Sequence, residues 1–205
     1  MRYHPVLKFI AAAGALALTL ATIARADDDK EITRKGTYTT SAGGSGTASS
    51  TTTRGQGVVN RQGNWTNAAG GAGKWQSQTV WNKGTNTATV NGSATRPNGR
   101  TTAWQGTAVR TAPGVIAGKG TITLSNGKQA TYASTDTRVA PGSWDKQEVI
   151  TTASGKTIDR TIDTSVANGN GTRTATTTLP DGKTVTTNGT FTQTVSTQSG
   201  SSPTP

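Results

Sequence analysis

Few residues in this chain have the chemistry to act on a substrate. The single histidine is His4, and there is no cysteine anywhere. Past the first few residues this excludes Ser-His and Cys-His nucleophiles, thiol redox chemistry and most zinc or copper sites. What remains for acid–base work is a handful of carboxylates. Asp159 and Asp163 lie four apart on one extended run. They would share a face about 13 Å apart at ~3.3 Å per residue, wide of the ~5–9.5 Å of glycosidase pairs. Asp27-Asp28-Asp29 lacks the spaced ligands and Gly of a calcium loop, and Asp145 and Glu148 near Trp144 make no better ligand set. The chain reads as no enzyme, with no cofactor and no metal site.

The remaining chemistry is aromatic. Trp65, Trp75, Trp81, Trp104 and Trp144 are the candidate ligand-binding residues. Indole rings on a sheet can hold sugar rings, or they can be the core of a sheet short of Leu and Ile. Trp75 and Trp81 are six apart and therefore share a face of one strand.

The elements that must position these residues follow a period. Gly46, Gly73, Gly99, Gly127, Gly155 and Gly182 recur every 26 to 28 residues, and five of them precede a Lys or Arg. Arg96-Pro97-Asn98-Gly99-Arg100, Leu124-Ser125-Asn126-Gly127-Lys128 and Leu179-Pro180-Asp181-Gly182-Lys183 have the composition of a type I turn closed by a Gly at φ > 0. Thr152-Ala153-Ser154-Gly155-Lys156 fits the same place. Between turns the residues alternate as strands do. Ile122 and Leu124 share a face; Ile158, Ile162 and Val166 share one, with Arg160 and Thr164 between them. Val185, Thr187, Gly189, Phe191, Gln193 and Val195 form a third. Glycines inside strands, such as Gly106, Gly118 and Gly189, suggest bends, bulges or room for a facing aromatic.

The expected fold is all-β: an antiparallel meander of about five ~27-residue hairpin repeats, hence about ten strands. It would form a coiled single sheet or close like a barrel. The expected organisation is a signal peptide over 1–26, a charged then Gly/Ser/Thr-rich leader over 27–50, the hairpin-repeat domain over 51–196 and a disordered tail over 197–205. The signal reading rests on Arg2 and Lys8, the apolar run from Phe9 to Ile23, and Ala24-Arg25-Ala26 as a cleavage site.

Only 30% of the chain is hydrophobic, against about 45–50% in globular domains. The formal charge is +11, or +8 once Arg2, Lys8 and Arg25 leave with the signal. The basic residues are scattered rather than striped, so nucleic acid is excluded as a partner. No transmembrane span is expected after signal cleavage. A membrane barrel is disfavoured because both strand faces carry Thr, Asn or charge.

The composition therefore predicts an exported, periplasmic or extracellular protein, non-enzymatic and structural or adhesive. Its partners would be polysaccharide, an envelope surface or itself. Alternatives are a polysaccharide-binding module built on the Trp-bearing strands, a self-assembling fibre subunit, and ice binding through Thr arrays such as Thr172, Thr174, Thr176 and Thr178.

Overall fold

The computed structural model describes residues 30–197. The segment 1–26 read as a signal peptide, the acidic triplet 27–29 and the tail after Thr197 lie outside the described residues. The chain runs through twelve strands: β1 (Lys30–Thr40), β2 (Ser45–Gly55), β3 (Val58–Asn67), β4 (Ala72–Asn82), β5 (Thr87–Thr95), β6 (Thr101–Ala112), β7 (Val115–Leu124), β8 (Gln129–Ala140), β9 (Ser143–Thr152), β10 (Thr157–Ala167), β11 (Asn170–Thr178) and β12 (Thr184–Thr197). Each pairs antiparallel with its sequence neighbours, and β12 pairs back onto β1 from Lys30↔Thr197 to Thr40↔Thr187. The expected meander is therefore present and closes into a barrel.

The two strands beyond the expected ten come from the segment read as a leader. Residues 27–50 contain all of β1 and the first half of β2. Gly and Ser at 41–50 suggested a loose linker, yet only the turn Ser41–Gly44 is irregular, and Thr47 to Thr53 carry the ladder against β1 and β3.

One rim of the barrel carries six turns of a single design. Gly43, Gly70, Gly99, Gly127, Gly155 and Gly182 all have φ between 75° and 82°. In each turn the Gly N–H donates to the carbonyl three residues back, as in Gly127 N to Leu124 O at 2.9 Å. Asn98, Asn126 and Asp181 accept from the N–H two residues on, at 3.1–3.2 Å. The period of ~27 is thus one hairpin pair, as the motif implied. Two of its glycines were placed three residues late: Gly46 and Gly73 lie inside β2 and β4, and Gly43 and Gly70 make the turns. The opposite rim turns on Gln56-Gly57, Asn86, Gly114, Gly142 and Asn168-Gly169, again at positive φ.

Alternation decides what fills the interior. Trp65, Trp75, Trp104, Tyr132, Val90, Ile116, Ile122, Ile150 and Ile158 form one buried cluster against the inner faces of β3 to β10. Large rings fit because glycines face them across the ladder. A Cβ at Gly73 would overlap Trp65, one at Gly63 would overlap Trp75, and one at Gly92 would overlap Trp104. Gly106 and Gly120 make the same room for Tyr132, as Gly171 does for Phe191. Replacing Gly92 by Ala should therefore cost about 1–3 kcal/mol through overpacking, read as a lower thermal midpoint. Gly127→Asn, at an open turn that Asn tolerates, should cost ~0.5 kcal/mol or less. Equal losses at the two positions would contradict this packing account.

Candidate functional site: an arginine-walled cavity inside the barrel

The aromatic cluster fills only part of the interior. On the side of β1, β2, β11 and β12 the inner wall encloses a cavity of about 390 Å³. Arg34 from β1, Arg54 from β2, Arg61 from β3 and Arg173 from β11 line it, with Tyr38, Trp75, Trp144 and Phe191 supplying ring surfaces. Each arginine sits at an inward position of its strand, in step with Ile32 and Tyr38, Thr52, Val59 and Ala175. Small neighbours leave the space: Gly36, Ser50 and Gly189 face the same volume.

Arg34 is held in place. Its Nε donates to Gln193 Oε1 at 2.9 Å, and its guanidinium lies 5.1 Å from the centre of the Phe191 ring. Arg173 lies deep beneath its neighbours while keeping part of its surface on the cavity, and its buried Nε and Nη2 have no hydrogen-bond partner among the described residues. Inward positions of β8, β9 and β10 carry a second group of charges. Lys146 Nζ is 3.3 Å from Glu148 Oε1, and Arg160 Nη1 is 3.7 Å from Glu148 Oε2, with all three side chains 3% exposed or less. Asp136 faces Lys146 across the β8–β9 ladder and is 1% exposed.

The electrostatics are one-sided. Burial, then Arg160 and Arg34, pull Arg173 down to about 9, against the opposing pull of Glu148 and Asp136. Burial, then Arg54 and Arg34, bring Arg61 to about 10. A guanidinium keeps its proton in proteins, so these shifts register as a standing cost of burying guanidiniums and, second, of placing them close together. Asp136 is raised chiefly by burial, with Lys146 opposing. The geometry can bind and orient an anion by charge-assisted, fork-shaped hydrogen bonds.

All five tryptophans point into the barrel. Trp65, Trp75 and Trp104 belong to the buried cluster, and Trp81 packs half-buried against it with Arg110 at 5.9 Å from its ring. Trp144 is half-buried on the cavity wall. The structure brings Trp75 and Trp144 to the cavity and leaves the other three away from it. Asp159, Asp163 and Asp145 face outward into solvent, whereas Glu148 is internal. The cavity arginines were missed from sequence. The sequence showed an inward arginine only at Arg160, between Ile158 and Ile162, which pairs with Glu148 and does not line the cavity.

The outer wall is polar. On β10 to β12 the outward positions are Thr, Ser, Asn and Asp apart from Ala167, bridged by pairs such as Thr174 Oγ1 to Asn188 Oδ1 at 3.1 Å. Lys35, Lys74 and Lys119 stand on other outer strand faces. Every aromatic side chain among the described residues faces inward, so the described outer wall has no aromatic girdles; Val80, Val109 and Val149 are exposed on it among polar neighbours.

Neither a family model nor a curated protein matches the sequence. Solved structures do. The chain is similar to the KdgM porin with a TM-score of 0.60 at 6% identity, over 79% of this chain and 98% of that one. It is similar to the KdgM porin in complex with disordered oligogalacturonate with a TM-score of 0.59, also at 6% identity, over 80% and 97%. A Rhodopseudomonas blastica porin triple mutant aligns at 0.45 and 12% identity, over 73% and 55%. With the two KdgM porin structures the shared property is the fold.

This overturns the expectation of a structural or adhesive repeat protein, together with its fibre-subunit and ice-binding alternatives. The neighbours are porin barrels, and closure leaves no free strand edge from which a fibre could grow. The tryptophans form no outer platform. The Thr172–Thr178 array wraps around a closed wall rather than lying on a flat face.

If the arginine wall carries a standing cost, removing one charge relieves it. Arg173→Met should raise stability by roughly 1 kcal/mol or more, seen as a higher thermal midpoint at low ionic strength. A lower midpoint would mean that Arg173 supports the fold.

Proposed function

We propose that this protein is a porin-like barrel of the bacterial envelope that binds an anionic, carboxylate-bearing saccharide in its interior. The carrying observation is the wall of Arg34, Arg54, Arg61 and Arg173 around a cavity of about 390 Å³. That volume lies within the range of small-molecule sites, roughly 300–1,000 Å³. Guanidinium forks pair with carboxylates, and the faces of Phe191, Tyr38 and Trp144 suit the apolar side of a sugar ring. The fold is shared with a porin whose structure was solved with oligogalacturonate, a chain of carboxylated sugars. The segment 1–26 would deliver the chain to that compartment. This saccharide site differs from a surface aromatic platform: arginines inside the barrel do the recognising.

Calorimetric titration of the exported protein with oligogalacturonate should show saturable binding that weakens with salt. Arg34→Gln and Arg173→Gln should each weaken it about tenfold, or ~1.4 kcal/mol. Absence of binding at low salt, or variants indistinguishable from the wild type, would refute the proposal.

The porin likeness favours a second reading, a conducting channel through the outer membrane. It requires a lipid-facing outer wall and a through passage. The outward Thr, Lys and Asp side chains and the buried Trp–Tyr–Ile cluster across β3 to β10 weigh against both. Planar-bilayer recordings decide: stable conductance steps support the channel, and a silent bilayer supports a binding chamber.

A further inference from the structure

The two ends of the barrel differ in charge. On the rim built from the six like turns, four successive hairpins end in basic residues. Arg96 and Arg100 bracket the β5–β6 turn, Lys128 closes the β7–β8 turn, Lys156 the β9–β10 turn and Lys183 the β11–β12 turn. Turn geometry fixes them there. Arg96 N donates to Arg100 O at 3.0 Å, and the N–H groups of Leu124, Thr152 and Leu179 donate in the same way to the carbonyls of Lys128, Lys156 and Lys183 at 2.8–2.9 Å. Arg100, Lys128, Lys156 and Lys183 are exposed.

The acids lie elsewhere. The sequence holds ten, with none in residues 1–26 or 198–205. Asp136 and Glu148 are inside the barrel, and Asp145 and Asp163 stand on the outer wall towards the opposite rim. Glu31 begins β1 at that opposite rim, near Lys83, Arg110 and Arg138. Asp27-Asp28-Asp29 directly precede Lys30. Three residues extend at most about 10 Å, whereas the 11 residues of β1 lead about 33 Å away to the basic rim. That rim keeps Asp181, which pairs with Lys183 at 3.6 Å, and Asp159 three residues beyond Lys156. Five cations thus meet two acids at this end.

The arrangement suits a surface better than a chain. The four basic turns stand two strands apart, about 10 Å at ~4.8 Å per strand, and together cover six of the twelve strand-to-strand steps. A linear polyanion would have to bend round this half-ring to meet them all. A flat charged surface laid across the end of the barrel meets them together. The turn tips are Pro-Asn, Ser-Asn, Ala-Ser and Pro-Asp pairs, with no large apolar side chain to insert, so the contact is electrostatic.

We infer that this rim docks the protein on an anionic phospholipid surface, with the cavity turned away from it. The cavity is lined by Gly142 of the opposite rim and by no residue of the four basic turns. Docking therefore leaves it open.

The test is flotation of the exported protein with vesicles of phosphatidylcholine alone and of phosphatidylcholine mixed with phosphatidylglycerol. The protein should float with the mixed vesicles at low salt, stay behind with the neutral ones, and be released as salt rises. Lys128→Gln combined with Lys156→Gln should weaken vesicle binding about tenfold or more. Lys119→Gln combined with Arg138→Gln removes the same charge from the outer wall and the opposite rim, and should leave binding nearly unchanged. No flotation with anionic vesicles, or equal losses in the two double variants, would overturn the inference. So would polyglutamate, a linear polyanion, binding through Lys128 and Lys156 while the vesicles do not. Floated protein that no longer takes oligogalacturonate, when free protein does, would overturn the orientation. Failure of both forms to take it would bring down the cavity reading and leave the membrane contact standing.

Discussion

Twelve strands enclose more volume than this chain has apolar side chains to fill. Barrel diameter grows with strand number, and about eight strands already give an interior that side chains can pack. With hydrophobic residues at 30% of its sequence, the protein meets that shortage by geometry. It concentrates its largest rings on one side and sets glycines opposite them, so that Trp65, Trp75, Trp104 and Tyr132 lie across the inner wall. The rest of the interior is left open. The cavity is what remains after the aromatic budget is exhausted, and its wall could take charge because water or a ligand can reach it.

That division separates two kinds of buried polarity. The group around Glu148 is matched in charge, Lys146 and Arg160 standing against Glu148 and Asp136. The front layer gathers arginines, and burial first and neighbouring guanidiniums second lower Arg61 and Arg173. Charges crowded onto the wall of a cavity are a physical rationale for a binding surface. The outer wall shows the reverse economy: cross-strand Thr, Asn and Gln pairs, such as Gln78 with Asn60 at 3.0 Å, present hydrogen-bonding groups where a lipid barrel would present apolar ones.

Much of this was legible in the sequence where the signal is local. Gly99, Gly127, Gly155 and Gly182 mark their turns because a positive φ beside Asn, Asp or Ser leaves few other readings. Gly106 was readable as room for an aromatic, though not for which one; Tyr132 stands two strands further along the chain. Gly46 and Gly73 misled because a glycine under an aromatic ring and a glycine in a turn look alike without register. β1 and β2 were hidden by Ser, Thr and Gly, whose strand role appears only once they pair with β12 and β3. The arginine wall was least visible. Its members come from four strands, and an inward Arg has the same local context as one guarding an edge.

Closure through β1 and β12 ties the first described strand to the last, with partners such as Lys30 and Thr197 at opposite ends of the folded chain. A chain made from its N-terminus must hold β1 with one side unmatched until nearly every other residue exists. Folding of this barrel is therefore governed by its slowest and most distant contact. A break that removes β12 strips a partner from β1 and β11 together, turning a wall with no edges into an open sheet with two.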